Sequence, residues 1–403
     1  MGNEPSILFS LPFEIRGHIY NEVLAQTSET PTLLQTCRRI YIESQKYLFR
    51  RPLKFSSQSN LYQWFHKAPQ EFLPEITEIS LELQDVDLTP LLFRSGSPSV
   101  RQSDTGASLH IWDIYGQEIG RLEAALRALP NVTKITLRVV SDQQSHLYDY
   151  FLENVLRELV SIYPHLESLH FEGRVPRRCF KLLPLFRSLS SLSFDTYLAS
   201  KPVETAQILS NLHLTDLSLI SQSTVSAAAH HQHNAHTPEL PFAVTFLNAL
   251  TSQTLSSLCI LQSHTPNSEF LDTLQDFMIR NTSMRRLELD WPNLDPGIIR
   301  RYTSQDSTLK YLWIRAVNIV CAFDIFRIIE EERRCGKIGN LEELVVLRDT
   351  WQDDTRIHAM KCVPDSAHTK ESVPTDVEML NLDFAENRLR ALGLRVAWCT
   401  KTP

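Results

Sequence analysis

Four histidines, His230, His231, His233 and His236, form the densest group of potential metal ligands in the sequence. Neutral imidazole coordinates zinc, copper and nickel well. A structural metal site needs further ligands at fixed spacing, and no Cys or Glu stands at such a spacing beside these histidines. The surrounding segment, residues 221–238, has no apolar period that would hold a ligand set rigid. It reads as a His-rich insertion, with no metal expected. Other chemistry is equally sparse. The chain has 11 glycines and neither a GxGxxG nor a GxxxxGK(S/T) loop to approach a phosphate closely. No G-x-S-x-G elbow and no H-E-x-x-H motif occurs. Glu330, Glu331 and Glu332 read as a solvated helix face or end, and Asp353 and Asp354 as a loop pair. The expectation is a binding protein without catalytic residues or cofactors, not an enzyme.

Side chains suited to recognition are better organised. Tyr311, Trp313 and Arg315 alternate with Leu312 and Ile314, so in an extended strand they share one face. Arg286 and Glu288 hold the equivalent positions one repeat earlier, and Asp216 and Ser218 do so further back. Tyr, Trp and Arg are enriched at interface hot spots. Tyr311, Trp313, Arg315, Arg286 and Glu288 are therefore the candidate contacts for a protein partner. The alternative is that a neighbouring loop covers Trp313.

A recurrent h-x-x-h-x-h block, with h an aliphatic residue, Met or Phe, must position these residues. Its copies open at Ile76, Val132, Leu166, Leu189, Leu214, Leu255, Met284, Leu309, Leu341 and Leu389. Each closes on alternating apolar residues, the signature of a strand. Helical periods lie between blocks, over residues 117–129, 148–163, 203–209, 242–250, 269–279, 297–302 and 323–333. A unit of this kind cannot bury its apolar face alone and must stack on its neighbours. Strand alternating with helix predicts a parallel sheet with helices on one side. Residues 69–403 thus read as an α/β solenoid with parallel strands on the concave face and helices on the convex face. Loop insertions are expected near 94–108, 221–238 and 349–375. Residues 1–68 differ and read as a small all-helical module. Pro12 suits a first helical turn and Glu14 complements its dipole. Ile15, Ile19, Tyr20, Val23 and Leu24 then recur at helical spacing, a second helix runs from Leu33 to Leu48, and a short third one covers 60–66.

Composition narrows the partner and the compartment. A formal net charge of −7, with only short basic runs such as Arg177–Arg178 and Arg333–Arg334, gives no field for nucleic acid. The runs read as solvated edges. Seven cysteines, an odd number without a CxxC, point to reduced thiols in the cytoplasm or nucleus. No apolar run is long enough for a transmembrane segment. Met1-Gly2-Asn3-Glu4-Pro5-Ser6 fits the M-G-x-x-x-S/T pattern, which leaves N-myristoyl association at Gly2 open. No polybasic segment follows to supply the second signal that stable anchoring needs, so a chance match is expected.

The repeats resemble an irregular leucine-rich-repeat array through L-x-x-L-x-L. That family's Asn or Cys, three residues after the last apolar position, is replaced by Arg174, Tyr197, Gln222, Ser263, Pro292, Val317 and Asp349. The resemblance is therefore to arrays with long convex helices rather than to the Asn-laddered horseshoe. The first module resembles the F-box-like amino terminus of fungal proteins. The likeness lies in Leu11-Pro12-Phe13-Glu14-Ile15-Arg16, Ile19-Tyr20, Val23-Leu24 and the stretch from Leu33-Leu34-Gln35-Thr36-Cys37-Arg38 to Ser44. Ile40-Tyr41 stand where that family has a Trp. The resemblance implies a substrate-recognition subunit of a cullin ubiquitin ligase. Its helical module would dock on a Skp-type adaptor through Leu11, Pro12, Ile15, Ile19 and Leu24, and its repeats would hold a protein substrate. The other reading is a repeat scaffold without a ligase connection, its helical module serving as an end cap.

Overall fold

The computed structural model describes residues 7–26, 32–88, 111–139, 147–173, 175–195, 201–221, 241–251, 254–262, 265–292, 294–302, 308–316, 318–348 and 376–400. The expected insertions, the four clustered histidines, Asp353, Asp354 and Gly2 lie outside them, Ser221 excepted. Packing divides the chain into two units, Met1–Leu189 and Ser190–Pro403.

The first unit opens with helices α1 (Ile7–Ser10), α2 (Phe13–Gln26) and α3 (Arg38–Leu48), with a 3-10 turn at Thr32–Gln35. Tyr20 and Leu24 of α2 meet Ile40 and Tyr47 of α3, and Leu8, Phe9, Leu33, Leu34 and Leu48 pack around them. Strand and helix then alternate: β1 (Leu53–Phe55), α4 (Gln58–Lys67), β2 (Glu78–Leu83), α5 (Ile111–Arg127), β3 (Lys134–Val139), α6 (Tyr148–Ile162), β4 (Ser168–Glu172) and α7 (Arg177–Phe180). The strands pair parallel in chain order, Leu53 opposite Ile79, Ile79 opposite Ile135 and Ile135 opposite Leu169. The stretch up to residue 68 is therefore not wholly helical. β1 is too short for a period of two to show in sequence, and only pairing with β2 defines it. α4 starts where Ser57 caps it, its side chain accepting the Asn60 N–H at 3.1 Å.

The second unit continues with β5 (Ser191–Asp195), α8 (Pro202–Ser210), β6 (Asp216–Ser221), α9 (Pro241–Ala249), β7 (Ser257–Gln262), α10 (Ser268–Arg280), β8 (Arg286–Asp290), α11 (Ile298–Tyr302), β9 (Tyr311–Ala316), α12 (Ile319–Arg334), β10 (Glu343–Arg348), α13 (Asp376–Ala391) and β11 (Arg395–Thr400). Each strand pairs parallel with the next. The fourth block position forms one buried column, Leu192, Leu217, Leu258, Leu287, Leu312 and Leu344, and the sixth forms another from Phe194 to Val346. The α/β repeat architecture expected from the sequence is thus present, with parallel strands and intervening helices.

Nine of the ten blocks open a strand where expected. Leu389 does not, because it belongs to the last turn of α13. The helix ends in a Schellman motif, Leu394 N–H bonding the Leu389 carbonyl at 3.1 Å and Gly393 N–H that of Arg390 at 2.9 Å. Gly393 adopts φ +78°, which a residue with a Cβ resists. L-R-A-L-G-L satisfies the block pattern, but the glycine makes it a helix end.

The strands need no Asn ladder for register. The carbonyl just before one strand takes two N–H groups from the start of the next. Thr77 accepts from Thr133 at 2.9 Å and Lys134 at 3.1 Å, Ser256 from Arg285 at 2.7 Å and Arg286 at 2.9 Å, and Lys310 from Glu342 at 2.8 Å and Glu343 at 3.0 Å. The column assignment predicts that Leu312→Ala costs about 2–5 kcal/mol in urea denaturation. Ser218→Ala, on the opposite face, should stay within about 0.5 kcal/mol. Equal costs would contradict the assigned faces.

Candidate functional site

On the first unit, α2 presents two faces. Arg16, Gly17, Tyr20 and Leu24 turn inward, while Pro12, Ile15, Ile19 and Val23 follow one another at helical spacing on the outer side. Gly17 lets α3 approach, since a Cβ there would collide with the Tyr47 hydroxyl. The inner face is held by one carboxylate. Glu43 Oε2 accepts from Arg16 Nε at 2.8 Å and from the Tyr20 hydroxyl at 3.0 Å, and Oε1 accepts from Arg16 Nη2 at 2.9 Å and Arg39 Nε at 2.9 Å. Arg16 also bonds the Leu11 carbonyl at 2.6 Å, fixing the start of α2. These donors, Arg16 first, bring the Glu43 carboxyl down to about 2 against the opposing effect of burial. Burial and the same carboxylate push the Tyr20 hydroxyl up.

Of the five expected adaptor anchors, Pro12 and Ile15 are exposed, and Leu11 and Ile19 are partly buried. Leu24 is not an anchor. It is 1% exposed and belongs to the α2–α3 core, one turn beyond Tyr20 on the inward face. Sequence reading missed exposed Phe13, Val23, Tyr41 and Ile42, the last at 56%. Ile42 lies opposite the buried Ile40, Ser44 and Tyr47 of α3 and Tyr41 flanks them, and that helix's apolar period carries the signal.

On the second unit, Tyr311, Trp313 and Arg315 do share the strand face opposite Leu312 and Ile314, and each is partly exposed. Arg286 of β8 stacks on Trp313, its guanidinium carbon 4.1 Å from the ring centroid. Glu288 is the register partner of Trp313, and its carboxylate lies 3.4 Å from Arg286. Glu288 is only 8% exposed, so it holds Arg286 in place rather than offering itself to a partner. Asp290, not singled out in the sequence, lies 2.5 Å from Arg315 and is buried. It continues the alternation of Arg286 and Glu288, which is the signal that could have found it. In β10 the same face carries Val345 and Leu347, both buried, which closes this face on the β10 side of Trp313 and Arg315. The corresponding face of the first unit is self-neutralised. Arg138 lies 2.6 Å from Glu172 and 3.5 Å from Glu82, and His170 lies 3.5 Å from Glu172. The His170 hydrogen bond, with that of Arg138, brings the Glu172 carboxyl to about 2.

Chemistry elsewhere is structural. Glu330 and Glu332 are buried, not solvated. Glu330 lies 2.6 Å from Arg334 and 2.9 Å from Arg388, and Glu332 lies 3.2 Å from Arg300 and 3.4 Å from Lys337. These pairs tie α12 to α11 and α13. Arg333 is no solvated edge either: it donates to the carbonyls of Leu392 at 2.9 Å and Leu341 at 2.6 Å. A cavity of about 490 Å³ opens between Leu212, His213, Leu250, Thr254 and Arg280. Its guanidinium already serves the Leu247 and Asn248 carbonyls, at 3.0 and 3.3 Å. Among the described residues no group of three His, Cys, Asp or Glu is placed to hold a metal.

No family model matches the chain, and no curated protein matches it. Among solved structures it is similar to a chain of the Rad7 and Elc1 complex of yeast, at 14% identity over 83% of this chain and 88% of that one, with a TM-score of 0.28. Both figures are too low to transfer anything from that complex to this protein.

Two expectations follow from this geometry. Glu43 has a depressed pKa in the folded chain, so its contribution is present above the ordinary value of 4.5 and is lost as pH falls toward about 2. Glu43→Gln should melt earlier than the parent at pH 7, and the gap should close between pH 4.5 and 2 in thermal melts. For the strand face, a double-mutant cycle of Arg286→Met and Trp313→Leu should give a coupling of about 0.5–2 kcal/mol in denaturation. A coupling near zero would mean that the stacked pair contributes nothing.

Proposed function

We propose that this chain is a non-enzymatic recognition subunit of a Skp/cullin-type ubiquitin ligase. The α2–α3 module docks on the Skp-type adaptor, the Arg286–Trp313 face binds a protein target, and ubiquitin transfer takes place elsewhere in the complex. One observation carries the reading: an apolar surface stands in solvent on a module whose interior is fully engaged. Phe13 and Ile15 are each 47% exposed and Tyr41 and Ile42 more so, while Arg16, Glu43 and Tyr20 lock the helices beneath them. Large apolar side chains exposed on both helices of one small module favour an interaction surface, and rigid support lowers the ordering cost of binding. Thiols without disulfide partners among the described residues, including buried Cys179 and exposed Cys37, suit the cytoplasm or nucleus. No helix among those residues is long and apolar enough to cross a membrane.

A second reading has its own support. Phe49, directly after α3, stacks on Phe72 at 5.1 Å and meets Trp64 at 6.4 Å, so the helical module is packed against the first strand–helix repeat. A repeat array needs such an end cap with or without a ligase. Co-purification of the full chain with a Skp-type adaptor separates the two. The recognition reading expects a complex that Ile15→Asp or Ile42→Asp weakens at least tenfold (about 1.4 kcal/mol) while the melting temperature hardly moves, both residues being exposed. A parent chain that captures no adaptor leaves the end cap as the module's role.

A further inference from the structure

The helical module carries more cations than carboxylates, and three of these cations, Arg38, Arg39 and Lys46, stand on α3. Residues 1–55 hold seven Lys and Arg against five Asp and Glu, within a chain whose formal net charge is −7. Within the α2–α3 pair the imbalance is local. Arg16 and Arg39 share the single carboxylate of Glu43. Lys46 has no carboxylate partner among the described residues, and its ammonium sits over the rings of Phe13 at 5.4 Å and Tyr47 at 5.1 Å. Arg38 is exposed, also without a carboxylate partner among them. It stands in the first turn of α3, where the helix dipole disfavours a cation. Helix stability therefore does not explain its position.

These charges border exposed apolar surface. Arg38 and Ile42 lie one turn apart on the outer side of α3, with Tyr41 beside them. Arg39 covers Phe9 at 4.6 Å, and Lys46 joins α3 to the exposed Phe13 of α2. The outer stripe of α2 differs, since the acidic residues Glu14 and Glu22 flank it. The module thus has an apolar surface that is positive on its α3 side only. Such asymmetry sets the orientation and speed of an encounter more than its lifetime.

We infer that the protein docked on α2–α3 presents carboxylates to Arg38, Arg39 and Lys46, and that this pairing fixes which way round it binds. The inference rests on the recognition-subunit reading and adds the chemistry of the partner's edge. It predicts a division of labour, with α3 cations governing association and the α2 stripe governing dissociation.

The test measures association and dissociation rates between the full chain and a purified Skp-type adaptor at 50 and 500 mM NaCl. The parent's association rate should fall about tenfold or more between the two salts. Arg38→Glu with Lys46→Glu should slow association at 50 mM by about tenfold, flatten the salt dependence and leave dissociation within about twofold. Arg38→Glu alone, at an exposed site with no carboxylate partner among the described residues, should move the same way by a smaller factor, which guards against misfolding of the double variant. Ile15→Asp should instead speed dissociation. Binding that is indifferent to salt and to both charge reversals overturns the inference and leaves the docking reading standing. No binding by the parent overturns both. Capture by phosphatidylserine vesicles that the double variant loses, with adaptor rates unchanged, would assign the cations to a lipid surface and also overturn it.

Discussion

The column in which Leu217, Leu258, Leu287 and Leu312 stand side by side is the constraint on which the repeats depend. A parallel strand buried on one face has a period of two, so a slip of one residue would move Leu312 and Ile314 outward and Trp313 inward. The paired N–H groups that meet each pre-strand carbonyl prevent that slip at the point where the strand begins. Fixing the apolar column fixes the opposite column as well. Arg286 faces Tyr311 and Glu288 faces Trp313 because their leucine neighbours are already paired. The Arg286–Trp313 face is therefore a by-product of core register, which is why its side chains engage one another.

The helical module solves a different problem. Its core is small, and Arg16 occupies a position that a larger core would give to an aliphatic residue. A buried guanidinium is tolerable only with its charge met and its donors used. Glu43 and the Leu11 carbonyl do both, and Tyr20 uses a remaining lone pair of the carboxylate. The arrangement is directional in a way that apolar packing is not, so α2 can sit on α3 in one rotation only. That rotation leaves Pro12, Ile15 and Val23 outside. The same polar clamp that stabilises the module thus decides which apolar residues remain available.

Much of the architecture was legible because it repeats. Blocks from Ile76 to Leu341 mark their strands, and the helices expected over residues 117–129, 148–163 and 269–279 match those observed to within two residues at their C-terminal ends. Misreadings share one cause. β1 has three residues, too few for a period to show, and Leu389 fits two patterns until Gly393 adopts φ +78°. Glu330 and Glu332 look like a solvated face because charge in sequence does not reveal that Arg388, 58 positions from Glu330, and Arg300, 32 positions from Glu332, will meet them.

The sequence by itself determined that strands and helices alternate, that Tyr311, Trp313 and Arg315 share a face, and that no nucleotide loop or metal-ligand spacing is present. These are properties of short windows, where a period of 2 or 3.6 is written directly in residue order. Only the tertiary structure decided which side of α2 is core. That helix carries apolar residues on both sides, so its own period leaves Ile15–Ile19–Val23 and Tyr20–Leu24 equivalent. The choice came from Glu43 on another helix and from Gly17 against Tyr47, contacts between residues about thirty positions apart. Long-range pairing, not local preference, placed Leu24 in the core and Ile15 in the solvent.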